Sequence, residues 1–180
     1  MVTALRSELS EITETAPVQE HPACIEALQP ERGHTIAVIE SEYPIERYTC
    51  GVHAFYLMED PIYVEIASFG LGRTFAGPEF INFLLQNKLL SPRQPPIVPG
   101  DIIVYFDGGT FRHIGRMKTE TRVLSKWGTG WLYEHGVWEV PSNYGQEIQY
   151  FVGSDEDASF ELFIQYAESK GFQFGEPTHA

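Results

Sequence analysis

Apolar positions change their period about halfway along the chain. Near the N-terminus Leu5, Leu9 and Ile12 recur at helical spacing and predict a short amphipathic helix. A Pro- and Glu-containing stretch follows through His34, so residues 1–34 read as an appendage that is partly mobile. The β-branched run at 35–39 predicts a strand, and polar residues with Pro44 then make a loop into Cys50. Residues 50–59 are apolar almost all round and stop at Asp60-Pro61, which predicts a buried helix, with a strand as the alternative. Gly77-Pro78-Glu79 opens a further helix running to about Leu90.

After the prolines of 91–99 the period falls to two. Strands are predicted over 101–106, 111–118, 122–127, 136–140 and 147–152, with Asp107-Gly108-Gly109-Thr110 as a hairpin loop. Ser154 and Asp157 form a capping-box-like start to a last helix, which ends near Gly171 and gathers Phe160, Phe163, Ile164 and Ala167 on one face. Helices, then an antiparallel meander, then a closing helix amount to an α+β plan over residues 35–175.

Composition narrows the function. Twelve basic against 25 acidic residues leave a formal charge of −13, which repels phosphate backbones and anionic membranes. Nucleic acid and membrane are therefore not expected partners. No apolar stretch reaches the roughly 18 residues of a membrane span, and residues 1–16 do not read as a secretory signal, so a cytoplasmic location is expected. There Cys24 and Cys50 would both be free thiols. Spacings of the HxH, HExxH or CxxC kind are missing, so no metal and no cofactor is expected. Gly70-Leu71-Gly72 is too short for a phosphate loop.

Two residues carry the candidate chemistry. Cys50 stands where a helix is predicted to begin, and helical N–H groups there would favour a thiolate; a buried cysteine acting as a small hydrophobe is the alternative. Strand alternation puts His113 on one face with Phe111, Gly115 and Met117, and Gly115 would leave room for something to approach. A satisfied half-buried histidine would explain His113 alone, but a Cys–His couple must come from distant segments in this way. The imidazole then needs an orienting partner. His135 is preferred, in what reads as a loop; Ser125, Lys126 and Asn143 are the alternatives. Lys126 could instead bind a substrate carboxylate, and Trp127 with Trp131, Tyr133 and Trp138 could wall a groove or fill the core. His53, one turn after Cys50, is read as a packing residue.

The cysteine at a helix start, the turn and strand Pro99-Gly100-Asp101-Ile102-Ile103-Val104-Tyr105-Phe106, and then His113-Ile114-Gly115 together resemble the NlpC/P60 superfamily of cysteine hydrolases. The stretch from Ser125 to Gly145 resembles a bacterial branch of it. The resemblance implies a papain-like core, with the cysteine helix on an antiparallel sheet whose second strand bears the histidine. It also implies a third polar residue about a dozen positions beyond, at Ser125 or Lys126. Thr49-Cys50-Gly51 departs from the usual Asp-Cys-Ser. The implied activity is hydrolysis of an amide or isopeptide bond through a Cys50 thioester, with His113 as base, on a peptide or amide substrate. A catalytically silent module binding a protein partner, or a deamidase- or acyltransferase-type effector, is the alternative.

Overall fold

The computed structural model describes residues 2–69 and 76–173, and Gly70-Leu71-Gly72 lies outside them. The fold is α+β, built on one antiparallel sheet of six strands. Its strands are β1 (Ala37–Ile39), β2 (Ile102–Asp107), β3 (Thr110–Met117), β4 (Arg122–Lys126), β5 (Leu132–Gly136) and β6 (Glu147–Phe151), in the order β1-β5-β4-β3-β2-β6. The helices are α1 (Val2–Thr15), α2 (His21–Arg32), α3 (Cys50–Ala54), α4 (Pro61–Phe69), α5 (Pro78–Gln86) and α6 (Glu156–Ser169). Among the described residues no helix is long and apolar enough to cross a membrane.

The sheet is covered on both faces, so its inner strands are apolar on both sides. In β2, Ile102, Val104 and Phe106 join Val52, Phe55, Phe80 and Phe163 in a core with α3, α5 and α6. Ile103 and Tyr105 point the other way, to Leu5, Leu9 and Ile25 of α1 and α2. Arg116 of β3 ties the helical side together. Its guanidinium donates to the carbonyls of Ala54, Gly100 and Ser154 at 2.6, 2.9 and 2.6 Å and lies over the Tyr56 ring.

Several expectations shift in detail. Residues 17–34 hold a helix: Pro22 sits in the first turn of α2, where its missing N–H costs nothing, and Pro30, inside the last turn, forgoes one helical bond without ending the helix before Arg32. The predicted helix over 50–59 is cut at Ala54. Tyr56 takes a left-handed φ of 53°, and a 3-10 turn, Leu57–Glu59, follows. Pro61 opens α4 instead of closing a helix, with Asp60 Oδ1 accepting from the N–H groups of Ile62 and Tyr63. The strand expected at 136–140 lies earlier, as β5, so His135 belongs to a strand and not a loop. Asp155 caps α6 by accepting from the Ala158 N–H, while the carbonyl of Ser154 is held by Arg116.

The join between β3 and β4 is short. Only Arg116–Leu124 and Met117–Val123 pair across it, whereas β4 pairs with β5 over five residues. Helix α3 packs on both strands there and lays its first residue, Cys50, against the seam.

Candidate functional site

Cys50 begins α3 after Thr49, an N-cap of extended backbone whose side chain makes no cap bond. With five residues, α3 has little dipole to offer the thiol. The N–H groups that reach the sulfur come first from Ile114 of β3, the neighbour of His113, then from Gly51 and Cys50 itself. A Cβ at Gly51 would stand 2.8 Å from the carbonyl oxygen of Ala76, so only glycine lets α3 pack this closely. Cys50 is partly exposed, yet burial pushes its thiol up to about 11.

On the other face of β3, three side chains form a chain of hydrogen bonds. His113 Nε2 lies 3.0 Å from Ser125 Oγ, Ser125 Oγ lies 2.7 Å from His135 Nε2, and His135 Nδ1 lies 2.8 Å from the carbonyl oxygen of Gly136. The carbonyl end fixes every proton. A carbonyl only accepts, so His135 Nδ1 carries hydrogen and donates. Burial pushes His135 down to about 4, so near neutral pH its Nε2 is a bare acceptor for the Ser125 hydroxyl. Ser125 Oγ then receives the hydrogen of His113 Nε2. His113 Nδ1 is left with the lone pair, the state a general base needs.

The surroundings keep His113 neutral. It is buried, and burial, then His135 and His53, hold its pKa well below the ordinary value. Tyr144 stacks on its ring at 4.1 Å between centroids, 18° from parallel. Burial and then the charge of Cys50 hold the Tyr144 hydroxyl well above its usual range, so Tyr144 neighbours both candidate residues. The turn carrying Tyr144 is pinned by α1. Arg6 donates to the carbonyls of Val140 and Gly145, and Ser10 Oγ meets Ser142 Oγ at 2.8 Å and the Asn143 N–H at 3.1 Å.

The space expected beside Gly115 is taken by β4. A Cβ there would meet Val123 Cγ1 at 2.7 Å and Ser125 Cβ at 2.8 Å. Gly115→Ala is therefore expected to destabilise the fold by about 1–3 kcal/mol through overpacking. It should also move Ser125 away from His113, which a change in the downfield imidazole N–H resonances would report.

Besides Cys50, sequence reasoning named six residues whose places are now set, each in its own surroundings. His113, Ser125 and His135 form the chain of hydrogen bonds. Lys126 is buried on the α3 side, donating to the Gly130 carbonyl with its ammonium 4.4 Å from the centre of the Tyr48 ring. Burial pulls it down to about 8, and Cys50 is the first group that opposes the shift. Trp127 is buried against Tyr133, 4.4 Å between centroids. Asn143 turns away, bonding Glu14 at 2.9 Å. Tyr144 was not anticipated; its only sequence signal is the tight turn Pro141 to Gly145.

Among the described residues no group of three His, Cys, Asp or Glu side chains is placed to hold a metal ion. No protein-family model, curated protein or solved structure matches the chain.

Proposed function

We propose that the protein is a cysteine hydrolase of amide or isopeptide bonds, with the papain-like arrangement that its resemblance to the NlpC/P60 superfamily implies. The observation that carries the reading is the chain from His113 to the Gly136 carbonyl, which leaves Nδ1 of a buried neutral imidazole unprotonated next to the strand residue whose N–H meets the Cys50 sulfur. With the thiol held high, proton transfer accompanies attack. Cys50 makes no hydrogen bond to His113 among the described residues, so one water relays the proton. Cys50 Sγ bonds to the carbonyl carbon as its proton passes by that water to His113 Nδ1. The C–N bond breaks, and His113 returns that proton to the leaving amine. Water then attacks the thioester, gives a proton to His113 and releases the acid, and Cys50 recovers its hydrogen. An amine in place of water turns the same sequence into acyl transfer.

The elevated thiol and the closure of His113 under Tyr144 favour a second reading, a silent binding module on the same scaffold. Alkylation of Cys50 by iodoacetamide against pH separates the two. The hydrolase reading expects a rate at pH 7 about tenfold or more above that of His113→Ala, in the range of general-base effects. Superimposed profiles rising only at or above the ordinary thiol range, near 8.5, would leave the module.

A further inference from the structure

The leaving amine collects its proton from His113, so His113 must meet the substrate, yet its exposure is 1%. Tyr105 of β2 lies beside the ring and Ser125 of β4 bonds its Nε2. Over the ring runs a strap, Pro141 to Gly145, whose middle is a 3-10 turn, Ser142–Tyr144, and whose Tyr144 stacks on the imidazole. The strap spans two anchors, the buried Val140 and the bond from the Gln146 N–H to the Phe106 carbonyl, 3.0 Å. At the second anchor Gly145 takes a φ of 98°, and a Cβ there would stand 2.1 Å from the Phe106 oxygen, so the bend requires glycine. One face of α1 holds the strap down, with Arg6, Ser10 and Glu14 recurring at one-turn intervals. Arg6 donates to the carbonyls of Val140 at 3.1 Å, of Pro141 at 3.4 Å and of Gly145. Ser10 Oγ meets Ser142 Oγ and the Asn143 N–H, and Glu14 accepts from Asn143 Nδ2 at 2.9 Å. The helix itself is fixed by other means: Leu5 and Leu9 are buried in the core, and Glu8 pairs with Arg32 of α2. Apart from Tyr144, then, the strap is held by hydrogen bonds that water can replace.

We propose that the strap is a gate on the base: latched by Arg6, Ser10 and Glu14 it shuts His113 away from substrate, and it swings up between Val140 and Gly145 when the latch lets go. The closed form is the resting state, and the site works only with Tyr144 lifted from the imidazole. Because the latch lies on α1, whatever engages the polar face of that helix governs the site. The proposal rests on the hydrolase reading for what the gate controls, but the movement of the strap can be measured without it.

Diethyl pyrocarbonate acylates an unprotonated ring nitrogen, so its attachment to His113, located by mass spectrometry, reads access to the base directly. Arg6→Met with Ser10→Ala keeps the apolar face of α1 and removes most of the latch. His113 is expected to react about tenfold faster in that protein, the change in open population from losing about one or two net hydrogen bonds, while His53 and His135 stay protected. A disulfide formed after Ser10→Cys and Ser142→Cys, where the two hydroxyl oxygens lie 2.8 Å apart, should lock the strap and stop the reaction at His113. Reductant should restore it, and this comparison decides the matter if the loosened protein does not fold. Equal His113 rates with the strap locked and freed, or His113, His53 and His135 rising together, would overturn the gate. Iodoacetamide profiles of the wild-type and His113→Ala proteins run alongside. A strap that gates above an unactivated Cys50 removes the hydrolase, and an activated Cys50 beneath a strap that never gates removes this proposal.

Discussion

Below about pH 6 the protein is expected to lose stability steeply, because the fold holds its central histidines uncharged. Burial pushes His53 and His135 down to about 4 and His113 well below its ordinary 6.5. The unfolded chain takes up these protons near 6.5 while the native state refuses them, so the unfolded state binds more protons across the interval between. Stability is therefore complete above about 6.5 and drains away as the pH falls towards 4. For His135, wholly enclosed, the interval corresponds to about 3 kcal/mol. His113 and His53 add to the effect in the same direction. Thermal melts between pH 8 and 4.5 measure the effect. His135→Gln should flatten the slope by about one proton's worth, and a melting temperature unchanged between pH 7.5 and 5 would contradict the account.

Ser125→Ala is the second large effect. The substitution removes one hydroxyl but orphans two buried ring nitrogens, Nε2 of His113 and Nε2 of His135. At about 1–3 kcal/mol for each unsatisfied buried group, the expected loss is about 2–4 kcal/mol after partial relaxation. Chemistry should suffer as well. Without the hydroxyl, nothing holds hydrogen on His113 Nε2, and the lone pair at Nδ1 is no longer guaranteed. Iodoacetamide alkylation of Cys50 at pH 7 should fall towards the His113→Ala rate, and Ser125→Thr, which keeps the hydroxyl, should recover part of it. A Ser125→Ala protein that melts normally and reacts at the wild-type rate would remove Ser125 from the site.

The sequence was most informative where one period governs a segment. The strands β2, β3, β4 and β6 and the helices α1 and α6 follow from their spacing, because each buries a regular face. Proline misled at α4, where Pro61 reads as a terminator yet occupies the first turn, and the Pro- and Glu-containing stretch through His34 hid α2, whose Pro22 also sits in a first turn. β5 was displaced because Gly136 to Val140 alternates as well as Leu132 to Gly136 does, and only pairing with β4 and β1 decides between them. At the site, the residue types of Cys50, His113, Ser125 and His135 were visible. Their proton order was not, since it depends on a carbonyl at the end of a chain of contacts. Tyr144 was invisible for a related reason: α1, from the other end of the chain, holds it in place.

The two-pair join of β3 to β4 divides the sheet into two trios of strands with almost no backbone stitching between them. Past that join the halves are riveted by side chains, above all by the imidazole of one trio bonded to the hydroxyl of the other. Whatever orients the imidazole therefore also keeps the halves closed, and a blow to either is felt by both.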